Sequence, residues 1–148
     1  MTKRDIALKR SFDVSLSFFG LVLLFVPISI LVIISTISFR KFGLFRQVRI
    51  GLNGKKFWVY KIRSMEDDEV SGSITLENDA RVNSLGRFLR RTKLDEIPQF
   101  WNVLIGDMSL VGPRPDVPGY ADTLEGQDRM VLSVRPGITG PATLKYRN

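Results

Sequence analysis

Apolar residues follow two regimes in this chain, and the change falls at Arg40. From Val14 to Phe39 no charged residue occurs and Leu, Ile, Val and Phe dominate; beyond Arg40 apolar residues come in short runs separated by charge, Gly and Pro. As one helix the first run would measure about 39 Å, longer than a hydrocarbon core of about 30 Å. It is too long for a signal-peptide core and ends at Phe39-Arg40-Lys41 without a small-residue cleavage site, so it reads as a membrane element. Pro27 lies near its middle, where proline removes a backbone hydrogen bond and clashes with the preceding turn. Lys3, Arg4, Lys9 and Arg10 precede the run, and Arg40, Lys41, Arg46 and Arg49 follow it. The positive-inside bias, which normally marks one end as cytoplasmic, here marks both. These features predict a re-entrant helix–break–helix that dips into one leaflet, broken near Pro27; a kinked spanning helix is the alternative.

Past the membrane element the periodicity shortens. Residues 45–64 read as a β-hairpin, because Asn53-Gly54 is a strong two-residue turn signal flanked by β-branched and aromatic residues. In the second arm Trp58, Tyr60 and Ile62 alternate with Phe57, Val59, Lys61 and Arg63, so one face is expected to be apolar and the other to end in two cations. Residues 66–78 are polar and acidic and read as a loop. A short basic amphipathic helix is predicted from Ser84 to Arg91, with Leu85, Phe88 and Leu89 on one side, a pattern that suits a membrane surface. Leu94, Ile97, Trp101 and Leu104 then recur at helical spacing. Pro98 is tolerated only near a helix start, which places Asp95 and Glu96 at or just before the N-terminus, and Gly106 is the stop. Residues 107–148 are dense in Gly and Pro and read as rigid loops presenting Arg114 and Arg135. The expected fold class is therefore α/β: a membrane element at 1–41, then a compact cytoplasmic domain at 42–148 made of a hairpin, short amphipathic surface helices and Gly/Pro-rich loops.

Charge sharpens this picture. The 148 residues carry 22 Lys and Arg against 15 Asp and Glu, a net charge of +7. Residues 1–65 hold 12 basic residues and two acids, whereas 66–148 hold 10 basic and 13 acidic residues. The basic excess thus flanks the membrane run, which the positive-inside rule explains without any nucleic-acid partner. Neither Cys nor His occurs. That excludes disulfides, thiolate zinc sites, Cys nucleophiles, Ser-His-Asp triads and His-metal sites; chemistry must run on carboxylates, Lys, Arg, Tyr, hydroxyls or a bound ion.

Asp95-Glu96 is the most suggestive pair. Neighbouring carboxylates at a helix start, close to Arg90 and Arg91, suit a divalent cation beside a phosphate site, and they equally suit simple helix capping. Arg114 between two prolines suits bidentate phosphate recognition or an interdomain salt bridge. Lys61 and Arg63 fit an anionic substrate or a solvated, headgroup-facing surface. The run Glu66-Asp67-Asp68-Glu69 reads as a surface loop ahead of a metal site, because adjacent carboxylates repel. Gly51-x-x-Gly54-Lys55 lacks the spacing and hydroxyl of a phosphate-binding P-loop.

Taken in order, several segments resemble one family. They are Lys9-Arg10-x-x-Asp13, the apolar run with Pro27, Gln47-x-Arg49-x-Gly51-x-x-Gly54-Lys55-x-Phe57 and Lys61-x-Arg63-Ser64-Met65. Leu89-Arg90-x-Thr92-x-Leu94-Asp95-Glu96-Ile97-Pro98-Gln99-x-x-Asn102, Gly106-Asp107-Met108-Ser109-x-Val111-Gly112-Pro113-Arg114-Pro115 and Arg135-Pro136-Gly137-Ile138-Thr139-Gly140 complete the set. This order is similar to that of the bacterial sugar transferases, the monotopic phosphoglycosyl transferases, over nearly the whole chain. The resemblance implies transfer of a sugar-1-phosphate from a UDP-sugar to polyprenyl (undecaprenyl) phosphate, initiating synthesis of a capsule, exopolysaccharide, O-antigen or glycoprotein glycan. It implies a protein among the lipids of the bacterial inner membrane, monotopic at the cytoplasmic face. It makes Asp95 the nucleophile that carries a phosphosugar and Glu96 the ligand of Mg²⁺; Arg90, Arg114, Lys61, Arg63 and Arg135 become phosphate and substrate contacts. The chain departs from the family at Val26, where many members have Ser, and small members continue well past the Pro-Gly-Ile-Thr-Gly loop, so a C-terminal tail is expected to be missing. A non-catalytic membrane-anchored protein that binds anionic lipid or another anionic partner is the rival reading.

Overall fold

The computed structural model describes residues 2–66 and 81–140. Its elements are helix α1 (Lys3–Phe39), strands β1 (Leu44–Ile50) and β2 (Lys56–Ile62), helices α2 (Ser84–Thr92) and α3 (Gln99–Ile105), and strands β3 (Ser109–Val111) and β4 (Gly137–Thr139). Short 3-10 turns lie at Leu52–Gly54, Leu94–Glu96, Ala121–Thr123 and Asp128–Ser133. Helix and strand are thus mixed, as the α/β reading expects. The loop read at 66–78, with most of its acidic run, falls outside the described residues.

Helix α1 is long and apolar enough to cross a membrane, about 55 Å at its 37 residues. Its apolar side chains are open, Leu23 at 79% exposure with Phe19, Val22 and Phe25 similar, whereas the core helix of a water-soluble domain covers its apolar stripe. The expected interruption at Pro27 does not appear as a non-helical segment: the proline lies inside a continuous helix. One missing backbone bond is tolerated in an apolar helix. Two residues on, the Ser29 hydroxyl donates back to the Phe25 carbonyl at 2.8 Å, a contact that bends helices without ending them.

The chain forms two compact units, Met1–Leu24 with Arg46–Tyr60 and Gln99–Asn148, and Phe25–Phe45 with Lys61–Pro98. In the first, Phe57, Val59, Val103 and Met108 make the core, lined by Leu110 and Ile138, and a second cluster joins Ile50, Ala121 and Leu132. Strands β1 and β2 pair, and Asn53 and Gly54 both take positive φ (56° and 79°), as the Asn-Gly signal predicts. The connection is longer than two residues: it runs over 51–55, with the Gly51 N–H donating to the Lys55 carbonyl at 2.8 Å.

Burial along β2 does not keep to one side of the alternation: Ile62 of the expected apolar face is buried, and so are Phe57 and Val59 of the other. Phe57 and Val59 point into the core, while Trp58 lies outside under the Arg46 guanidinium, 4.7 Å from its ring centre. In α3, Gln99, Asn102 and Val103 are buried, whereas Trp101, one of the apolar repeat, and Ile105 are exposed. The cause is Asn102, whose Nδ2 donates to the Trp58 carbonyl at 2.6 Å while its Oδ1 accepts from the Tyr60 N–H at 3.1 Å. A polar residue faces inward because it satisfies strand backbone there.

Two further contacts tie this unit together. Arg10 donates to the carbonyls of Val103 and Leu104 at 2.7 and 3.1 Å, adding a charged donor at the C-terminal end of α3. The Gly/Pro-rich last third holds a parallel pair that its composition hid, β3 with β4, in register Ser109 to Gly137 and Val111 to Thr139. A Cβ on Gly137 would sit 2.1 Å from the Gly112 nitrogen, so glycine is what lets the two strands approach.

The second unit holds the C-terminal part of α1 to the polar chain. The Ser35 hydroxyl donates to the Arg63 carbonyl at 2.6 Å, and the Gly43 N–H donates to Thr36 Oγ1 at 2.8 Å. Helix α2 is capped as its sequence suggests, with Asn83 Oδ1 accepting from the Gly86 N–H at 2.8 Å.

Candidate active site

Five of the side chains singled out in the sequence come from the second unit, and its backbone explains how. The end of β2 carries Lys61, and the chain then passes through Arg63, Ser64 and Met65. Helix α2 presses against this segment at Gly86, where a Cβ would stand 2.0 Å from the Ser64 carbonyl oxygen. That contact brings Arg90 onto the segment: its Nε donates to the Ser64 hydroxyl at 3.1 Å and its Nη2 to the Met65 sulfur at 3.0 Å. Lys93 then turns the chain in the left-handed conformation (φ 60°) and leads into the 3-10 turn Leu94–Glu96. A guanidinium is thereby fixed one turn of chain before the two carboxylates.

Within the turn the carboxylates differ. Glu96 Oε1 accepts from the Lys61 ammonium at 3.2 Å, both side chains being mostly covered. Asp95 is buried, 7% exposed, and its Oδ1 has no hydrogen-bond partner among the described residues. The capping bond that would make Asp95 a plain helix-start residue is therefore absent at this oxygen. Burial pushes the Asp95 carboxyl above the ordinary carboxylate range, the Glu96 charge pushes the same way, and Lys61, Lys93 and Arg90 pull it back. An ionisable group that is desolvated, unpaired on one oxygen and ringed by cations has the environment of a reactive carboxylate.

Arg63 lies in the same unit but is turned onto other chain: its Nε donates to the Phe42 carbonyl at 3.1 Å and its guanidinium stands 5.3 Å from the Phe45 ring centre. Arg114 and Arg135 belong to the first unit. Arg114 lines an open cleft of about 250 Å³ with Ile50, Gly51, Pro113, Asp116 and Leu132. Arg135 donates to the Gly106 carbonyl at 2.8 Å, joining the end of α3 to the approach to β4. No group of three His, Cys, Asp or Glu assembles among the described residues.

Asp13, Ser64, Lys93 and Asn102 take structural roles that the sequence pattern does not assign. Asn102 carried one usable signal, a polar residue inside an apolar helical repeat. Ser64 carried none.

The sequence model of the family described as Bacterial sugar transferase matches residues 4–148. A Bacillus subtilis (strain 168) protein named "Uncharacterized sugar transferase EpsL" is 39% identical over 141 residues, which cover 95% of this chain and 70% of that one. The UDP-glucose:undecaprenyl-phosphate glucose-1-phosphate transferase of Escherichia coli (strain K12) is 42% identical over 144 residues, 93% of this chain and 31% of its own length. The galactosyl transferase CpsE of Streptococcus agalactiae serotype III (strain NEM316) is 38% identical over 156 residues, 95% of this chain and 34% of its own.

Proposed function

The chain belongs to the bacterial sugar transferase family, and we propose that it moves a sugar-1-phosphate from a UDP-sugar to polyprenyl phosphate at the cytoplasmic face of the bacterial inner membrane, beginning a membrane-borne glycan. The observation that carries this reading is Asp95, a buried carboxylate with an unpartnered oxygen beside the Lys61–Glu96 pair and Arg90. An oxygen with no hydrogen bond to surrender is ready to attack. A P–O bond forms between Asp95 and the β-phosphorus of the donor, the bond from that phosphorus to the bridging oxygen breaks, and uridine monophosphate leaves. A phosphate oxygen of the acceptor then attacks the same phosphorus, the aspartyl bond breaks, and the carboxylate is restored. Arg90, held by Ser64 and Met65, presents a guanidinium to the phosphoryl oxygens, and Lys61 adds a second cation through its contact with Glu96.

The donor set fits Mg²⁺. That ion takes one or two protein carboxylates and completes its shell with substrate phosphates and water, so Glu96 beside Asp95 suffices without an all-protein cage. When bound, Mg²⁺ would neutralise charge on the diphosphate.

We read 1–41 as the membrane element and 42–148 as the catalytic core, with the apolar run re-entrant in the membrane, turning back near Pro27 so that both of its ends lie on one face. The basic N-terminal end is held through Arg10 to the carbonyls of α3, and the other end through Ser35 to the Arg63 carbonyl. The basic residues on both flanks of the apolar run support a single side for its ends.

The test is uridine monophosphate release from a panel of UDP-sugars with Mg²⁺ and polyprenyl phosphate, using the full chain in lipid. Release with at least one donor is expected, together with a phosphosugar adduct on Asp95 in the absence of acceptor. Asp95→Asn should lose both while remaining in the membrane fraction. No release with any donor would return the chain to a non-catalytic, anionic-lipid-binding role.

A further inference from the structure

Arg90 is held in two unlike ways. Its Nε donates to the hydroxyl of the buried Ser64 at 3.1 Å, and its Nη2 donates to the Met65 sulfur at 3.0 Å. A thioether is a weak acceptor, so the second contact aims the guanidinium without competing for it. A carboxylate in that place would hold Nη2 harder and oppose its transfer to a phosphoryl oxygen. The serine fixes the stem of the side chain, and the sulfur leaves the outer donors ready to change partner.

That weakness depends on the oxidation state of the sulfur. The chain has no cysteine, so its thioethers are the sulfur groups that an oxidant meets. Met65 is partly exposed. Met108 is fully covered in the core of the first unit, and Met130, in the turn Asp128–Ser133 of the same unit, is 69% exposed. Met65 therefore combines access with a bond to a cation of the site.

We infer that Met65 is a site of reversible oxidation by peroxide, and that its sulfoxide oxygen draws the Arg90 guanidinium away from the substrate phosphate. This rests on the reading of Arg90 as a phosphate contact given above. A sulfur lone pair attacks one peroxide oxygen, an S–O bond forms, the O–O bond breaks, and the other oxygen takes up the proton and leaves as water. Sulfur is oxidised to the sulfoxide and the peroxide is reduced. The new oxygen is polar and accepts strongly from a charged donor. Helix α2 stands directly on the Ser64 carbonyl at Gly86, so the Arg90 side chain yields rather than the helix. Arg90 is also one of the cations acting on the Asp95 carboxyl, so phosphate and nucleophile lose it together.

The full chain in lipid is exposed to hydrogen peroxide for increasing times and quenched with catalase. Uridine monophosphate release from the panel of UDP-sugars is then measured, and sulfoxide at Met65 and Met130 is quantified by peptide mass mapping. Release should fall about 10- to 100-fold in step with the Met65 sulfoxide, not with that of Met130. Methionine sulfoxide reductases should restore it. Met130→Leu should keep the untreated rate and the sensitivity to peroxide, whereas Met65→Leu should hold its own rate through the treatment. Met65→Gln, whose amide oxygen stands in for the sulfoxide, should be slow before any treatment and slower than Met65→Leu. The proposal is overturned if Met65 takes up oxygen with release unchanged, or takes up none while Met130 is fully oxidised. It is also overturned if Met65→Leu loses the same factor on treatment, or if reductase leaves the rate low. No release from any donor before peroxide is added is a different failure: it defeats the transferase reading, and this proposal falls with it.

Discussion

Asp13 and Asp95 are both buried carboxylates among cations, 4% and 7% exposed, and they have opposite surroundings. Asp13, beside the membrane run, is fully occupied. Its Oδ2 accepts from the Ser109 hydroxyl at 2.7 Å and the Lys9 ammonium at 3.0 Å, and its Oδ1 accepts from the Leu110 N–H at 3.3 Å. The Lys9 ammonium also meets the Ser109 hydroxyl, so the three groups close on one another. Asp95 has cations near it and an Oδ1 with no partner among the described residues. Burial alone therefore does not mark a reactive acid. The difference is whether the fold has used the lone pairs: at Asp13 they hold α1 to β3, and at Asp95 one oxygen is unused among the described residues.

The largest test of this contrast is catalytic. Asp95→Asn should lower transfer by at least about 1,000-fold, as loss of a covalent nucleophile does, while the protein remains folded. Asp13→Ala should do the reverse. It strands the Leu110 N–H and half of a buried network and should cost about 2–3 kcal/mol of stability, read as an earlier unfolding midpoint in detergent. Transfer per folded molecule should change little. If folded Asp13→Ala is inactive, or Asp95→Asn unfolds as readily as Asp13→Ala, the contrast collapses.

Much of this was legible before any coordinates. The uncharged run from Val14, the Asn53-Gly54 turn, the capped basic helix at Ser84 and the carboxylate pair just ahead of a helix ending at Gly106 each rest on one local rule, and local rules survive folding. Sidedness was the least legible feature. Trp58 belongs to the apolar alternation of β2 and Trp101 to the apolar repeat around α3, yet Trp58 lies under Arg46 and Trp101 is exposed. Asn102 decides both cases by binding the backbone of β2, a long-range partner that no periodicity displays. The β3–β4 pair was hidden for a related reason: Gly112 and Gly137 read as loop residues until their close approach is seen. Within the site the residue types were readable, and the empty valence of Asp95 was not, because it depends on which donors failed to arrive.

A smaller effect follows from the raised Asp95 carboxyl. Its folded value lies above its unfolded one, so the native state binds the proton more tightly. Stability is therefore lost as pH rises from the ordinary carboxylate value through the raised one, and the full cost is present above it. Asp95→Asn removes that cost. Measured in detergent with chelator, the variant should match the parent in acid and exceed it at neutral pH, an inactive protein that is harder to unfold. A variant less stable at neutral pH would mean that the carboxylate is satisfied after all.

Lys93 gives the finest test, because one substitution there does two opposing things. Its left-handed backbone (φ 60°) strains any residue with a Cβ, and Lys93→Gly should relieve about 1 kcal/mol of it at every pH. Its charge, however, is one of those holding the Asp95 carboxyl down, and an exposed cation contributes only a small, salt-screened share. Removing it raises that carboxyl further and enlarges the cost of ionising it. The gain from glycine should thus be greatest in acid and shrink as pH climbs through the titration of Asp95, and high salt should flatten the slope. In the Asp95→Asn background the same substitution should give a gain independent of pH. A slope that persists there would show that Lys93 acts on some other group.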